Sequence, residues 1–384
     1  MTEFSMSGAD CASEERKGEK PVSVAFILNR LGENGPGIDT LNIIRSMHLR
    51  GYDVTLVTVM DNKSKPAKHN FEMNLSRKIS QLIVPVVAKF LLFFRKNKFD
   101  YTIVSVGWLS VWIVIAHKLT HNKNSKCLLL LRSNIQHIMK SKTIRRKLSW
   151  FVTRYLAKRI DGIANVSGGA SKGTEYYLNV NKVHTLYSPV VWENDVWEEH
   201  PQPQHSFFEE DYKKIVSCGR LVPVKNHEFM LHAFSLALLE DNTLRLIILG
   251  EGKLRTYLES LSEQLGISDC VSMPGFIPEP MAYMAHADLF WFTSLYEGFG
   301  NVLVEAMATG TNIVSSDCPY GPKEILDNGK FGYLVNNRDP QAHAETLLQA
   351  LEKPKCTPNQ LKQRALDFSV EAATDNYIHV LHSL

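Results

Sequence analysis

Apolar residues fall into two rhythms that alternate along the chain. Apolar-rich runs at 22–28, 53–59, 101–106, 127–131 and 161–166 read as strands, the first of them buried on both faces. Between the first two runs, Ile38, Leu41, Ile44 and Leu49 recur near helical spacing over 38–50, and Gly51 supplies a stop. The segment 139–160 predicts an amphipathic helix. Ile144, Leu148, Phe151, Tyr155 and Leu156 share one face, with Lys140, Arg145, Arg146, Lys147, Arg154 and Lys158 largely elsewhere.

The rhythm stops at 192–211, where Pro201, Pro203 and many acids show no periodicity. It restarts with strands at 213–218, 244–249, 271–273, 288–293, 312–316 and 332–335. Repeated strand–helix alternation predicts a parallel sheet with helices on both faces. Two such blocks predict an α/β chain of two Rossmann-like, doubly wound domains facing across a cleft. The expected division is a disordered tail at 1–20, an N-terminal acceptor-side domain at 21–190, a linker at 191–211, a second domain at 212–365, and a C-terminal helix at 366–384 packing back toward the first domain. Ligands of such folds bind outside the carboxyl ends of the strands, so chemistry is sought in post-strand loops.

Composition changes this picture little. A length of 384 residues suits two domains, and 44% hydrophobic with 22% charged residues is ordinary for a folded chain. The longest apolar runs, 106–116 and 82–94, are too short to cross a bilayer, and Lys89 interrupts the second. Residues 1–20 are polar and do not read as a signal peptide. The cysteines are scattered without a C-x-x-C pair, which argues against a disulfide framework or structural zinc and suits a reducing cytosol.

Charge changes it more. The net charge is +3, but residues 75–160 hold 18 Lys and Arg against one acid, Asp100. Such a block is a footprint for an anionic partner: membrane surface, polyphosphate lipid or nucleic acid. Within it, 77–98 and the 144–160 helix join cations to large apolar groups, the pattern of an element lying on anionic lipid. The alternative is that both apolar faces pack beneath the sheet.

Four post-strand segments carry candidate chemistry. After 213–218 comes Gly219-Arg220, then Pro223 and Lys225-Asn226. An arginine fork and a lysine point charge suit a diphosphate, although an isolated pair reads equally as two surface cations. After 244–249 comes Gly250-Glu251-Gly252, where a glycine permits close backbone approach of a ligand, or simply a tight turn. The Gly35-Pro36-Gly37 loop after the first strand is ambiguous in the same way.

The third segment is the most informative. Glu297 follows an apolar strand, Gly298-Phe299-Gly300 leave backbone N–H groups uncovered, and Asn301 opens a helix that contains Glu305. A helix start behind a glycine loop is an anion site, and the two acids bracket it. The fourth segment, Gly321-Pro322-Lys323-Glu324, leads into another helix and reads as well as a helix start with a favourable acid.

On these residues the chain resembles the retaining family 4 glycosyltransferases of the GT-B fold. The resemblance runs over most of the chain and is densest from 215 to 335. G-R-L-x-P-x-K-N, L-G-E-G, P-G-F, E-G-F-G-N-V-L-V-E-A-M-A-x-G and G-P-K-E-I-L occur in the family's order. Glu297 and Glu305 match its E-x7-E signature. The resemblance implies that Arg220 and Lys225 hold the donor diphosphate and that Glu305 bonds the ribose hydroxyls. Glu297 and the backbone of Gly298, Phe299 and Gly300 would meet the donor sugar, with Asn301 opening the helix. Gly250 would line the donor site, and Phe276 would lie beside the base.

Departures from the pattern fall on the acceptor side. Gly35-Pro36-Gly37 replaces Gly-Gly, and Ser188-Pro189 replaces Asn-Pro. Where a cleft histidine is common, Arg132-Ser133-Asn134 precedes His137. Gly35, Gly37, Arg132 and His137 are the acceptor-side candidates.

The expectation is a metal-independent hexosyl or N-acetylhexosaminyl transferase with no cofactor. Its donor is a nucleotide diphosphate sugar, a UDP-sugar being favoured by base rates among bacterial relatives. The acceptor is a saccharide, carried on a polyprenyl diphosphate, for cell-surface polysaccharide. The expected location is peripheral, on the inner face of the cytoplasmic membrane. The lack of D-x-D, beside two cations, favours leaving-group stabilisation without a metal.

Rivals are weaker. An oxidoreductase needs G-x-G-x-x-G after an early strand, which 32–37 does not supply. A nucleic-acid-binding, or more broadly anionic-polymer-binding, module lacks a recognition motif, so no nucleic-acid partner is expected. A sugar phosphorylase or nucleotide-sugar epimerase on the same fold stays open.

Overall fold

The computed structural model describes residues 20–29, 35–59, 70–72, 83–120, 124–132, 144–336 and 338–384. Its strands form two separate parallel sheets. The first holds β1 (Ser23–Leu28), β2 (Asp53–Thr58), β3 (Asn70–Glu72), β4 (Tyr101–Ser105), β5 (Lys126–Leu131), β6 (Gly162–Asn165) and β7 (His184–Thr185) in the order β3-β2-β1-β4-β5-β6-β7. The second holds β8 (Lys213–Cys218), β9 (Leu244–Leu249), β10 (Val271–Gly275), β11 (Leu289–Phe292), β12 (Ile313–Ser316) and β13 (Tyr333–Val335) in the order β10-β9-β8-β11-β12-β13.

Both orders reverse once, beside β1 in the first sheet and beside β8 in the second. At a reversal the loops of neighbouring strands diverge and leave a crevice. In the second sheet this makes β8 and β11 neighbours, so the loop bearing Arg220 and Lys225 lies next to the loop bearing Glu297. Their meeting is a product of strand order, with about seventy intervening residues of chain.

The central strands are rich in apolar residues because helices cover both faces. Val24, Ala25 and Ile27 of β1 and Leu246, Ile247 and Ile248 of β9 have no exposed surface. Burying each of these valine, leucine and isoleucine side chains contributes about 1.5–3 kcal/mol.

Two basic helices of the N-terminal domain behave in opposite ways. In the helix Ile83–Lys96, Phe90, Phe93 and Phe94 fall at positions i, i+3 and i+4 and are buried. Their rings meet one another at 5.3–6.2 Å, and Phe94 meets His117 at 5.1 Å. The reading of 77–98 as a lipid-facing element is therefore corrected for its described part: its aromatics belong to the core. Residues 77–82 lie outside the described residues.

The helix Ile144–Leu156 does the reverse. Its buried side is Ser149, Trp150 and Thr153, continued by Ala157 beyond its end. Ile144, Leu148, Phe151 and Tyr155 are 81%, 46%, 71% and 69% exposed and form a stripe facing outward. The predicted apolar face is real, but it does not pack beneath the sheet.

The last helix, Val370–His382, lies against the first domain. Arg50 pairs with Asp375, Asn376 donates to the Thr185 carbonyl at 2.9 Å, and Tyr52 stacks on His382. The chain returns beside its outward path, with Val191 bridged to Ser369. Among the described residues no helix is long and apolar enough to cross a membrane.

Candidate active site

Lys225 closes the turn Pro223–Lys225 after β8, where Asn226 takes a left-handed φ of 59°. Its ammonium donates to Glu297 Oε1 at 2.6 Å and lies 5.5 Å from the centre of the Phe292 ring. The Ser294 hydroxyl donates to the same carboxylate oxygen at 2.7 Å. The two loops are also tied by backbone, Leu295 N to the Val224 carbonyl at 2.8 Å. Ser316 at the end of β12 donates to the Phe292 and Ser294 carbonyls, which anchors the β11 loop from its other side. Lys225 is thus held in place by an acid, an aromatic face and a braced loop. Arg220 stands exposed at the same strand end and has no ion pair among the described residues.

Glycines let backbones close on this site. Gly300 caps the helix Asn301–Ala308 at φ 107°. A side chain on Gly321, at φ 101°, would sit 1.5 Å from the Phe299 carbonyl oxygen, so only glycine fits. Gly298 packs toward the Arg132 carbonyl of the other domain, 3.2 Å from where a Cβ would stand. Gly250 also lets backbones close. What its missing Cβ admits is the Gly219 carbonyl, 2.1 Å from the Cβ position, so it serves the packing of β8 against β9.

Phe299 was expected to act through its backbone, and its side chain is taken up by the core. Its ring is buried between Tyr187 and Phe368, at 5.4 Å from each, and only its backbone is available to a ligand. Phe276 is 66% exposed just beyond β10, free to face a planar group.

Glu305 lies one turn inside the helix Asn301–Ala308. Burial, and then the charge of Asp39, push its carboxyl up to about 7, while Lys225 opposes them. Asp39 belongs to the helix Gly35–Leu49 of the first domain and is 5% exposed. Its Oδ2 meets the Arg132 guanidinium at 3.3 Å, and its Oδ1 accepts from Asn301 Nδ2 at 3.1 Å. Arg132 also donates to Thr40 at 2.7 Å. Burial raises Asp39 to about 6 against the pull of Arg132, Ser188 and Asn301.

Of the acceptor-side candidates, Arg132 is at this seam. Gly35 and Gly37 stand in the first turn of the helix Gly35–Leu49, which begins before the expected 38. His137 lies outside the described residues. Asp39 was missed because a buried acid shows in a sequence only through its partners, and those come from three distant segments. The available signal was an acid just behind a glycine loop after the first strand. Glu324 likewise does not serve its own helix. It accepts from Gly168 N and Gly169 N at 2.6 and 2.7 Å, capping the helix Gly168–Leu178 of the other domain.

Two Rossmann-like sheets, a crevice at each strand reversal, and acids and cations gathered at the second define a GT-B architecture. Residues 198–367 match the family of glycosyl transferases group 1, and the fold is the GT-B fold of the solved structures it resembles. It is 35% identical over 173 residues to an N-acetylgalactosamine-N,N'-diacetylbacillosaminyl-diphospho-undecaprenol 4-alpha-N-acetylgalactosaminyltransferase of Campylobacter jejuni, covering 44% of this chain and 47% of that protein. The chain therefore spans about half the length of that relative. An uncharacterised glycosyltransferase of Methanocaldococcus jannaschii is 28% identical over 288 residues, 65% of this chain and 70% of that one. The crystal structure of Anabaena HepE in complex with UDP is similar with a TM-score of 0.77 at 18% identity, covering 94% of this chain and all of that chain.

Proposed function

We propose that the chain is a retaining, metal-independent transferase. It moves a hexose or N-acetylhexosamine from a UDP-sugar to a lipid-linked saccharide in bacterial cell-surface glycan assembly. The observation that carries this reading is the convergence of Lys225, Glu297 and the start of the helix Asn301–Ala308 at the β8–β11 junction. In the reaction an acceptor hydroxyl oxygen bonds to the anomeric carbon as that carbon's bond to the diphosphate breaks, and the hydroxyl proton passes to the departing diphosphate. Charge then grows on the departing diphosphate. Lys225, Arg220 and the helix N-terminus supply positive ends for it, and such preorganised charge lowers the barrier by several kcal/mol. Glu297 aims Lys225 and meets the donor sugar, and Glu305 accepts from the ribose.

UDP as the nucleotude product is supported by the UDP complex of the Anabaena structure. A lipid-linked acceptor is supported by the name of the Campylobacter enzyme, which specifies a diphospho-undecaprenol carrier. Retention follows from the E-x7-E resemblance. The membrane address is supported by the outward stripe of Ile144, Leu148, Phe151 and Tyr155 beside exposed Lys147, Arg154, Lys158 and Arg159. Apolar and aromatic groups interleaved with cations suit the headgroup region of an anionic bilayer, here at its cytoplasmic face. The deciding experiment is a donor screen reading released nucleoside diphosphate, with and without an undecaprenyl-diphosphate-linked saccharide. Acceptor-dependent release from a UDP-sugar is expected. Turnover that needs phosphate, or none at all, or that interconverts donors overturns the reading in favour of a phosphorylase or epimerase.

A further inference from the structure

Across the cleft from Lys225, one acid joins the two domains. Asp39 is almost wholly buried, and its two oxygens face different domains: Oδ2 faces Arg132 at the end of β5, and Oδ1 faces Asn301 at the start of the helix bearing Glu305. Three further groups close the junction. Ser188 at the crossing between the domains bonds to Asp39, Thr40 bonds to Arg132, and the buried Tyr377 of the last helix lies in the field of both. Among the described residues Arg132 Nε is buried without a hydrogen-bond partner, so the guanidinium is committed to this seam at some cost. A buried ionic group with one oxygen on each domain is an expensive way to fill space. It is a direct way to set where one domain stands relative to the other.

We propose that Asp39 is a positioning residue of the donor site, a cross-cleft tie that holds the helix bearing Glu305 against the N-terminal domain through Asn301 and Arg132. The proposal rests on the reading of Glu305 as a donor ligand. Its consequence is electrostatic as well as geometric. The charged groups acting on Glu305 are Asp39, which disfavours its ionised form, and Lys225, which favours it. The charged group opposing the burial of Asp39 is Arg132. The charge of Asp39 bears on Glu305, so the ionisation of one shifts the titration of the other. Glu305 accepts ribose hydroxyls best when ionised, so donor capture strengthens with rising pH, and Asp39 sets where on the pH scale that happens.

The test is calorimetric titration of UDP-glucose, whose diphosphate is esterified at both ends and does not ionise in this range, into the full chain from about pH 5.5 to about pH 8.5, for wild type, Asp39→Asn and Glu305→Gln. Wild-type affinity should rise with pH through a midpoint near the Glu305 value of about 7. In Asp39→Asn the opposing charge is gone, so the midpoint should fall by roughly half a pH unit or more. Glu305→Gln should bind weakly with a flat profile. An unchanged midpoint in Asp39→Asn beside a flat Glu305→Gln overturns the proposal alone. A flat wild-type profile overturns the donor role of Glu305, and the proposal with it. Carboxyl-carbon NMR of the unmodified protein gives an answer even if the variants fold poorly. Glu305 should titrate in two coupled steps, and a single step in the ordinary carboxylate range overturns the coupling. Asp39→Ala, which removes the oxygen offered to Asn301, should lower kcat about tenfold below Asp39→Asn. Equal kcat in the two overturns the tie.

Discussion

Replacing Lys225 with methionine separates what the Lys225–Glu297 pair does for the fold from what it does for the reaction. The two side chains are 18% and 17% exposed at 2.6 Å, so the pair is mostly shielded from water. Removing one member of a buried pair costs about 3–5 kcal/mol, chiefly through the charge left behind. Residual solvent contact and the Ser294 hydroxyl, which stays on Glu297 at 2.7 Å, offset part of that. A loss of about 2–3 kcal/mol of stability is expected. The catalytic loss is separate. A fixed cation at a departing diphosphate lowers the transition state by about 2–4 kcal/mol, and at about 1.4 kcal/mol per decade this is a fall in kcat/KM of about a hundredfold. The double variant Lys225→Met/Glu297→Gln removes the orphaned charge. Urea unfolding should show most of the stability restored, while steady-state kinetics show no recovery of rate. A single variant that works within about threefold of wild type, once shown to be folded, refutes the leaving-group role.

Arg220→Ala should lower kcat/KM by about a hundredfold with unchanged stability, because its guanidinium is exposed; normal kinetics with UDP-sugars would remove it from the site. Glu305→Gln should weaken UDP binding by calorimetry, whereas Glu297→Gln should spare it and impair transfer; equal affinities in both and in wild type contradict this division. On the proposed role of Arg220 and Lys225 activity should survive EDTA, and loss that magnesium or manganese restores would show otherwise. In liposome flotation, binding should rise with anionic lipid and fall with salt, each nearby cation contributing about 1 kcal/mol. Leu148→Ser/Phe151→Ser should abolish flotation but not UDP binding. Charge reversal at Arg95 and Lys96 should matter less, because the phenylalanines of that helix are in the core. A wild-type chain that ignores anionic vesicles at low salt ends the membrane reading.

The strands were legible because burial on both faces leaves short stretches rich in apolar residues, and helices between them show a return every three or four residues. That is why the runs at 213–218 and 244–249 coincide with β8 and β9 to the residue. Short edge strands were not legible: β3 and β7 span three and two residues, too few to carry a period. The Glu297–Glu305 block was legible as a glycine loop between strand and helix, a local arrangement that needs no knowledge of distant chain.

What the sequence by itself determined is this local grammar: which segments are strands, where loops must bend, and which post-strand residues carry charge. Tertiary structure alone decided pairing and direction. Strand order brought Lys225 to Glu297, and domain contact brought Asp39 to Asn301 and Glu324 to the Gly168 helix. It also decided which of two amphipathic basic helices turned its apolar face inward, burying Phe90 and exposing Phe151. Periodicity shows that a helix has an apolar face. What covers that face depends on surfaces supplied by other parts of the chain, and their positions follow from the packing of the whole.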